Sequence, residues 1–351
     1  MELCKLLEQI APPDETARTA AKKRWDSCAK PLGSLGLLED AICEVAALTG
    51  SAEIALTPRT AVVFCADNGV VAQGVTQTDS GVTAKAARQM AAGRTPVCRM
   101  AATARCRVLP VDMGIVDFPG CDGVLDCRAG NGTADFTREP AMTRAQAEAA
   151  ILAGVELARR EAERGARLLA AGELGIGNTT TAAAVTSVLL DLPAEAVTGR
   201  GAGLSDEGLS RKLRAIEAGI AQNRPDPEDA LDVLAKVGGF DLAGMCGLYL
   251  GGALYRVPVL IDGFPSSAAA LCALRLCPAA GKAMLASHVS AEPAGRLVLD
   301  ALGKPPLITA GLRLGEGTGA VAAMPLLDMA LAVYREAYTF AEGGIEPYTP
   351  Q

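Results

Sequence analysis

The chemistry that this 351-residue chain could carry begins with one carboxylate, Glu316, in Leu312-Arg313-Leu314-Gly315-Glu316-Gly317-Thr318-Gly319-Ala320. A glutamate between two glycines has no packing purpose of its own. Partly desolvated, its pKa would rise toward the range of a general base. A turn glutamate facing water is the commoner arrangement, but the flanking glycines and the position beyond a strand favour chemistry. The second string is Gly172-Glu173-Leu174-Gly175-Ile176-Gly177-Asn178-Thr179-Thr180-Thr181, placed between an apolar run and an alanine-rich helical stretch. Glycines let backbone amides approach a phosphate, and a helix N-terminus adds unpaired N–H groups and partial positive charge. Thr179 or Thr180 can cap that helix or donate to the anion. A plain capped turn after a strand explains much of the same string, and no Gly-Lys-Ser/Thr follows, so it is not a Walker loop.

The remaining polar strings are weaker. Gly199-Arg200-Gly201-Ala202-Gly203 suggests a dinucleotide turn, and hence a Rossmann-type dehydrogenase. It follows a Pro-containing loop rather than a strand, however, and leads into a helix start at Ser205-Asp206-Glu207. Lys212, inside that helix, is in reach of a phosphate, although a lone lysine is more often a solvated charge. Asp67-Asn68-Gly69-Val70 and Asp262-Gly263-Phe264 read as strand-end turns, since Asp and Gly are ordinary turn residues. His288 is the only histidine and lies beside Ser290 and Glu292. That leaves one position for a Ser-His-Asp triad and none for a zinc site with several His ligands; alone it reads as a polar core or loop residue.

The elements that must hold these residues follow from periodicity. Ala61 to Ala66 is a short apolar run ending in Asp67-Asn68-Gly69, as a buried parallel strand entering a loop would be. Arg107 to Val111, Arg167 to Ala170 and Val257 to Ile261 repeat the pattern, and Leu307 to Ala310 is a fainter fifth case. Alanine-rich helical stretches fall near 83–104, 143–165, 179–191, 206–222 and 241–255. The alternation predicts an α/β fold, a parallel Rossmann-like sheet with helices on both faces, with ligands at the carboxyl ends of the strands. Residues 3–27 and 35–48, with 322–342, are helical and predict a small helical domain (1–55 with 322–351) beside a large nucleotide-binding domain (56–321).

Composition limits the alternatives. Half the residues are hydrophobic but only 3% are aromatic, so the core is built mainly from Ala, Leu and Val. A net charge of −7 without a basic stripe argues against nucleic acid. The acidic start MELCKLLEQIAPPDE is no signal peptide, and Leu242 to Tyr255 is too short for a membrane span, so a cytoplasmic protein is expected. Eleven cysteines, an odd number with no CxxC pair, read as reduced, small, buried residues without a metal site.

Together these strings resemble one family, the nicotinate-nucleotide–dimethylbenzimidazole phosphoribosyltransferases of cobamide assembly. The resemblance runs in order from Lys30-Pro31-Leu32-Gly33-Ser34-Leu35-Gly36 through Asp67 to Val70, Gly172 to Thr180, Lys236 to Asp241, Val259 to Phe264 and His288 to Glu292, ending at Arg313 to Ala320. It implies that Glu316 is the base that takes a proton from the acceptor's ring nitrogen while the other nitrogen attacks the ribose. Nicotinate then leaves with inversion, and no metal or cofactor is involved. It implies a substrate-binding set of Glu173, Leu174, Gly175, Gly177, Asn178, Thr179, Lys212, Asp67, Thr78, Ser290, Glu292 and Leu314. It also implies a homodimer whose small helical domains close the partners' sites. The chain departs from the family pattern at Asn68, where members often have His, and at Ala86, where some have Gln. Thr78 stands where a small polar contact is usual. The acceptor is therefore expected to be 5,6-dimethylbenzimidazole by default, with another benzimidazole, adenine or a phenol as alternatives; a non-catalytic nucleotide-binding subunit is the distant one.

Overall fold

A computed structural model describes residues 3–348. Six strands form one all-parallel sheet: β1 Arg59–Ala66, β2 Arg107–Gly114, β3 Leu125–Asp126, β4 Leu168–Leu174, β5 Val259–Ile261 and β6 Met284–Ala286, in the order β3-β2-β1-β4-β5-β6. The order reverses direction between β1 and β4, which leaves a crevice beyond their carboxyl ends, where doubly wound sheets bind ligands. Every residue of β1 is buried. Both faces of the sheet are covered, and this is why the strands read as continuous apolar runs. Val62, Phe64 and Ala66 face a core shared with the Arg144–Glu163, Asn178–Leu190, Phe240–Leu254 and Phe264–Leu276 helices. Ala61, Val63 and Cys65 face a second core shared with Glu15–Ser27, Leu37–Thr49, Gly81–Ala91, Pro96–Thr103 and Thr318–Glu336.

The shortage of aromatic residues has a packing consequence. The Arg144–Glu163 and Phe240–Leu254 helices approach so closely that a Cβ on Gly154 would lie 2.0 Å from the Gly244 carbonyl oxygen, and one on Gly247 would lie 1.9 Å from that of Ile151. Only glycine fits at this crossing.

The terminal segments are joined by specific contacts. Trp25 is fully buried edge-on against Tyr334, with ring centroids 5.2 Å apart, and Arg24 donates to the Ala337 carbonyl. Arg59 at the start of β1 makes a two-bond ion pair with Asp328 of the Thr318–Glu336 helix, at 2.9 and 2.7 Å. The cluster holding these terminal helices continues onto the sheet face. Residues 1–2 and 349–351, assigned to the helical unit from sequence, lie outside the described residues.

Several sequence expectations are corrected. The stretch 83–104 forms two helices, interrupted at Gly93, which is left-handed, and restarted at Pro96. Residues 3–27 form Leu3–Leu7 and Glu15–Ser27, parted by Pro12-Pro13. Leu307 to Ala310 is not a strand: Ile308 makes one bridge to His288, and the sixth strand is Met284–Ala286. The helices Ala230–Val237, Phe264–Leu276 and Ala294–Ala301 were not expected. The eleven cysteines are all free, but only Cys28, Cys43, Cys65, Cys246 and Cys272 are buried, and Cys4 is exposed. Among the described residues no helix is long and apolar enough to cross a membrane.

Candidate active site

β4 delivers Glu173 to the crevice, and the chain turns at Gly177, left-handed at φ 94°, into the Asn178–Leu190 helix. No side chain caps that helix. Thr179 instead points its hydroxyl at Lys212, whose Nζ donates to Thr179 Oγ1 at 2.7 Å and to the Gly199 carbonyl at 3.1 Å. The geometry disfavours the plain capped turn, because the threonine serves a cation. Lys212 is no solvated charge. It is 1% exposed, and burial pushes its ammonium down to about 8 despite the opposing pull of Glu292. An uncapped helix start with a buried lysine beside its first-turn hydroxyl is suited to an anion.

Glu173 is held by Asn178, whose side-chain amide donates to Glu173 Oε2 and also reaches Asp241. Burial, reinforced by Asp241, Asp262 and Glu316, pushes the Glu173 carboxyl up to about 8, so it is a neutral acid near pH 7. Asp241 is fully buried, is pushed up to about 7 mainly by burial, and has no hydrogen-bond partner for Oδ2.

Across the crevice lies Glu316, half-buried and left-handed at φ 59°, between Gly315 at 86° and Gly317 at 84°. A left-handed glutamate costs on the order of 1 kcal/mol and persists only where its surroundings fix it. The Glu316 amide donates to the Glu173 carbonyl at 3.1 Å. Asp262, beyond β5, accepts from the amides of Gly317 and Ala320 at 3.2 and 2.8 Å. Asp262 therefore caps the Thr318–Glu336 helix and pins the end of the Glu316 loop, a structural role at long range where the sequence read only a local strand-end turn. Burial raises the Glu316 carboxyl above its ordinary range, and bonds from Val97 and Thr95 oppose that rise.

Glu173 and Glu316 line one cavity of about 220 Å³, together with Leu174, Gly175, Gly177, Asn178, Thr179, Thr78, Ser290, Glu292 and Leu314. Ser290 Oγ accepts from the Glu292 amide at 3.3 Å. Leu314 stands at the rim, 55% exposed. Lys212 lies behind Thr179 instead of on the wall. Asp67 stands off this wall: it is 2% exposed, and its oxygens accept from Thr83 Oγ1 at 2.5 Å and the Val116 amide at 2.9 Å, so it ties the Gly81–Ala91 helix to the loop after β2.

Sequence reasoning missed Gln77, Arg200, Arg313 and the His288 ring on this wall. Gln77 Nε2 bonds the Ala202 carbonyl at 3.0 Å, so two loops distant in sequence meet there. His288 Nδ1 lies 3.0 Å from Ser287 Oγ, and burial holds the imidazole below its usual range while Asp262 pulls the other way. Its being the only histidine was the one available signal. The Gly199 to Gly203 turn follows the short Ala194–Val197 helix, not a strand, and so is no dinucleotide loop. A Cβ on Gly199 would collide with Glu292 Oε2 at 1.8 Å, which explains that glycine by close approach.

Residues 10–345 match a family model described as Phosphoribosyltransferase. The nicotinate-nucleotide–dimethylbenzimidazole phosphoribosyltransferase of Acetivibrio thermocellus is 44% identical over 330 residues, covering 94% of each chain. That of Roseiflexus sp. is 43% identical, covering 98% of each. The crystal structure of CobT from Thermus thermophilus superposes with a TM-score of 0.90 at 43% identity, covering 95% of this chain and 100% of that one. With this similarity along nearly its whole length, and a six-stranded parallel sheet that opens on a buried lysine and two raised glutamates, the chain belongs to the nicotinate-nucleotide–dimethylbenzimidazole phosphoribosyltransferase family.

Proposed function

We propose that this chain transfers the 5-phosphoribosyl group of nicotinate mononucleotide to a lower-ligand base, by default 5,6-dimethylbenzimidazole. The products are nicotinate and α-ribazole 5′-phosphate, for cobamide assembly. One observation carries the reading: a raised carboxylate, Glu316, shares a cavity with the Thr179–Lys212 anion end. The phosphate sits at the start of the Asn178–Leu190 helix, with Lys212 supplying charge through the Thr179 corner. Glu316 takes the proton from one ring nitrogen of the acceptor. The other nitrogen bonds to C1′ from the opposite face, and the nicotinate–ribose C–N bond breaks with its electron pair leaving on the pyridine nitrogen. A carboxylate raised by burial is better matched to that proton than an ordinary one. Neutral Glu173 can donate a hydrogen bond to the nucleotide without repelling its phosphate.

We read the enzyme as a cytoplasmic homodimer in which a unit of residues 1–55 with 322–351 meets the partner's large domain, 56–321. The eleven free cysteines support a reducing compartment. Leu314 at the cavity rim and Met329 on the Thr318–Glu336 helix, 55% and 57% exposed, support coverage by a second chain. The acceptor default rests on the resemblance. Ala86 is half-buried outside the cavity wall, and Asn68 is 1% exposed and donates to the Ile176 carbonyl at 3.3 Å.

The test is to incubate purified protein with nicotinate mononucleotide and, separately, benzimidazoles, adenine and phenols, and to read product masses. The expected result is an α-ribosyl phosphate of 5,6-dimethylbenzimidazole plus one equivalent of nicotinate. Nucleotide binding with no product from any acceptor would leave only the non-catalytic reading.

A further inference from the structure

The loop that opens the Asn178–Leu190 helix is gripped from outside at both peptides flanking Ile176. The Ile176 amide donates to Thr83 Oγ1 at 3.3 Å, and the fully buried Thr83 hydroxyl donates to Asp67 Oδ1 at 2.5 Å. A hydroxyl has one proton to give, so with that proton on Asp67 the oxygen is left to accept from Ile176. The carbonyl of the same peptide, that of Gly175, accepts from the Asn178 amide at 3.3 Å. On the next peptide the Ile176 carbonyl accepts from Asn68 Nδ2 at 3.3 Å. Asn68 lies just beyond β1, is 1% exposed and stands off the cavity wall, whereas Gly177 is part of that wall. The carbonyl and the N–H of a trans peptide point opposite ways. A carbonyl held from behind therefore turns the Gly177 N–H toward the cavity, and among the described residues that N–H has no acceptor.

The asparagine is not there to complete its own bonding. Its Oδ1 is buried without a hydrogen-bond partner, an exception among buried polar atoms that calls for a reason. The backbone leaves room for that oxygen, since a Cβ on Gly239 would lie 2.5 Å from it. A leucine would have much the same volume without the orphaned oxygen; the donor is what distinguishes the asparagine. We infer that Asn68 is a positioning residue for the phosphate of the nucleotide: by holding the Ile176 carbonyl behind the loop it aims the Gly177 N–H into the cavity, with Thr83 locking the peptide before it. This deepens the reading above and rests on its placing of the phosphate at this helix start. The two donors of the anion end are thus fixed separately, the Lys212 ammonium by Thr179 and Gly199, the Gly177 amide by Asn68 and Thr83.

The experiment compares the parent with Asn68→Leu, Thr83→Val and Thr83→Ser. It measures kcat and KM for nicotinate mononucleotide, the inhibition constant of nicotinate riboside, which lacks only the phosphate, and thermal melting. Asn68→Leu is expected to raise KM for the mononucleotide roughly tenfold, as for one weakened hydrogen bond to a charged group, with kcat within about twofold of the parent. Inhibition by the riboside should not change, and the melting temperature should hold. Thr83→Val should raise the same KM and lower the melting temperature, because it also leaves Asp67 short of a donor; Thr83→Ser should restore both. The Thr83 pair carries the test independently if Asn68→Leu does not fold. Parental KM in Asn68→Leu, or equal weakening of mononucleotide and riboside, overturns the inference. A parent that binds the riboside as tightly as the mononucleotide would instead bring down the phosphate site itself.

Discussion

Two hollows in the molecule differ in what their walls are made to do. One, of about 690 Å³, lies between the Glu15–Ser27 and Leu37–Thr49 helices and β6; the other, at the carboxyl ends of β1 and β4, measures about 220 Å³. The larger is walled by charges in ordinary settings: Arg18 pairs with Glu44, Lys22 pairs with Asp26, and its one strongly desolvated cation is Lys304. The smaller one has at or just behind its wall three successive left-handed residues, a buried lysine, a carboxyl pushed up to about 8, and, on Glu292, a buried oxygen without a partner. Volume reports how well elements pack. Strain and displaced proton affinities mark where stability has been given up, and such departures concentrate at working sites.

The comparison is most easily broken at Glu316. Glu316→Gln should lower kcat by about three orders of magnitude, within the range for a lost general base, while nucleotide affinity by calorimetry changes less than about twofold. Next is Lys212→Met, expected to raise KM for nicotinate mononucleotide roughly 30- to 100-fold, as for a lost charge-assisted bond. The melting temperature of the ligand-free protein should hold or rise, since a buried charge is removed. A lower KM or a large loss of stability would make Lys212 a structural residue.

A third effect concerns pH. Glu173 keeps its proton to about 8 in the fold, against 4.5 for an ordinary glutamate, so the native state binds the extra proton between those values. Its contribution to stability is complete below about 4.5 and is lost as pH rises through about 8; Asp241, pushed up to about 7, acts in the same sense. Denaturant unfolding should show roughly 3 kcal/mol less stability at pH 9 than at pH 6 from Glu173, and Glu173→Gln should flatten that decline. The smallest effect belongs to the larger hollow. Arg18→Ala should leave kcat/KM within about twofold and cost about 0.5 kcal/mol of stability, as for a partly exposed ion pair. A large kinetic effect there would show that the comparison is drawn wrongly.

Sequence alone was informative where chemistry and backbone demands coincide. The strand ends at Asp67, Glu173 and Asp262 were legible because apolar runs stop at polar, glycine-containing turns. The loops around Glu173 and Glu316 were legible because glycines cluster where the chain turns left-handed. β3 and β6 were not: they are two and three residues long and, unlike the equally short β5, neither ends an apolar run at an Asp-Gly turn. Asp67 shows the converse limit: its position at a strand end was visible, but whether the carboxylate turned outward or toward Thr83 depends on a helix met later in the chain. Asp241 acts on Glu173 only through a tertiary contact and leaves no local mark.

The left-handed run from Gly315 to Gly317 leaves the chain no slack around its base. A methyl group at 315 would meet Glu173 Oε1 at 2.7 Å, and one at 317 would meet the Gly172 backbone at 3.4 Å. The acid cannot slide one place along the polypeptide, and an inserted residue would unwind the turn. Inheritance can therefore keep or discard this segment only as a block, whatever else in the protein is free to drift.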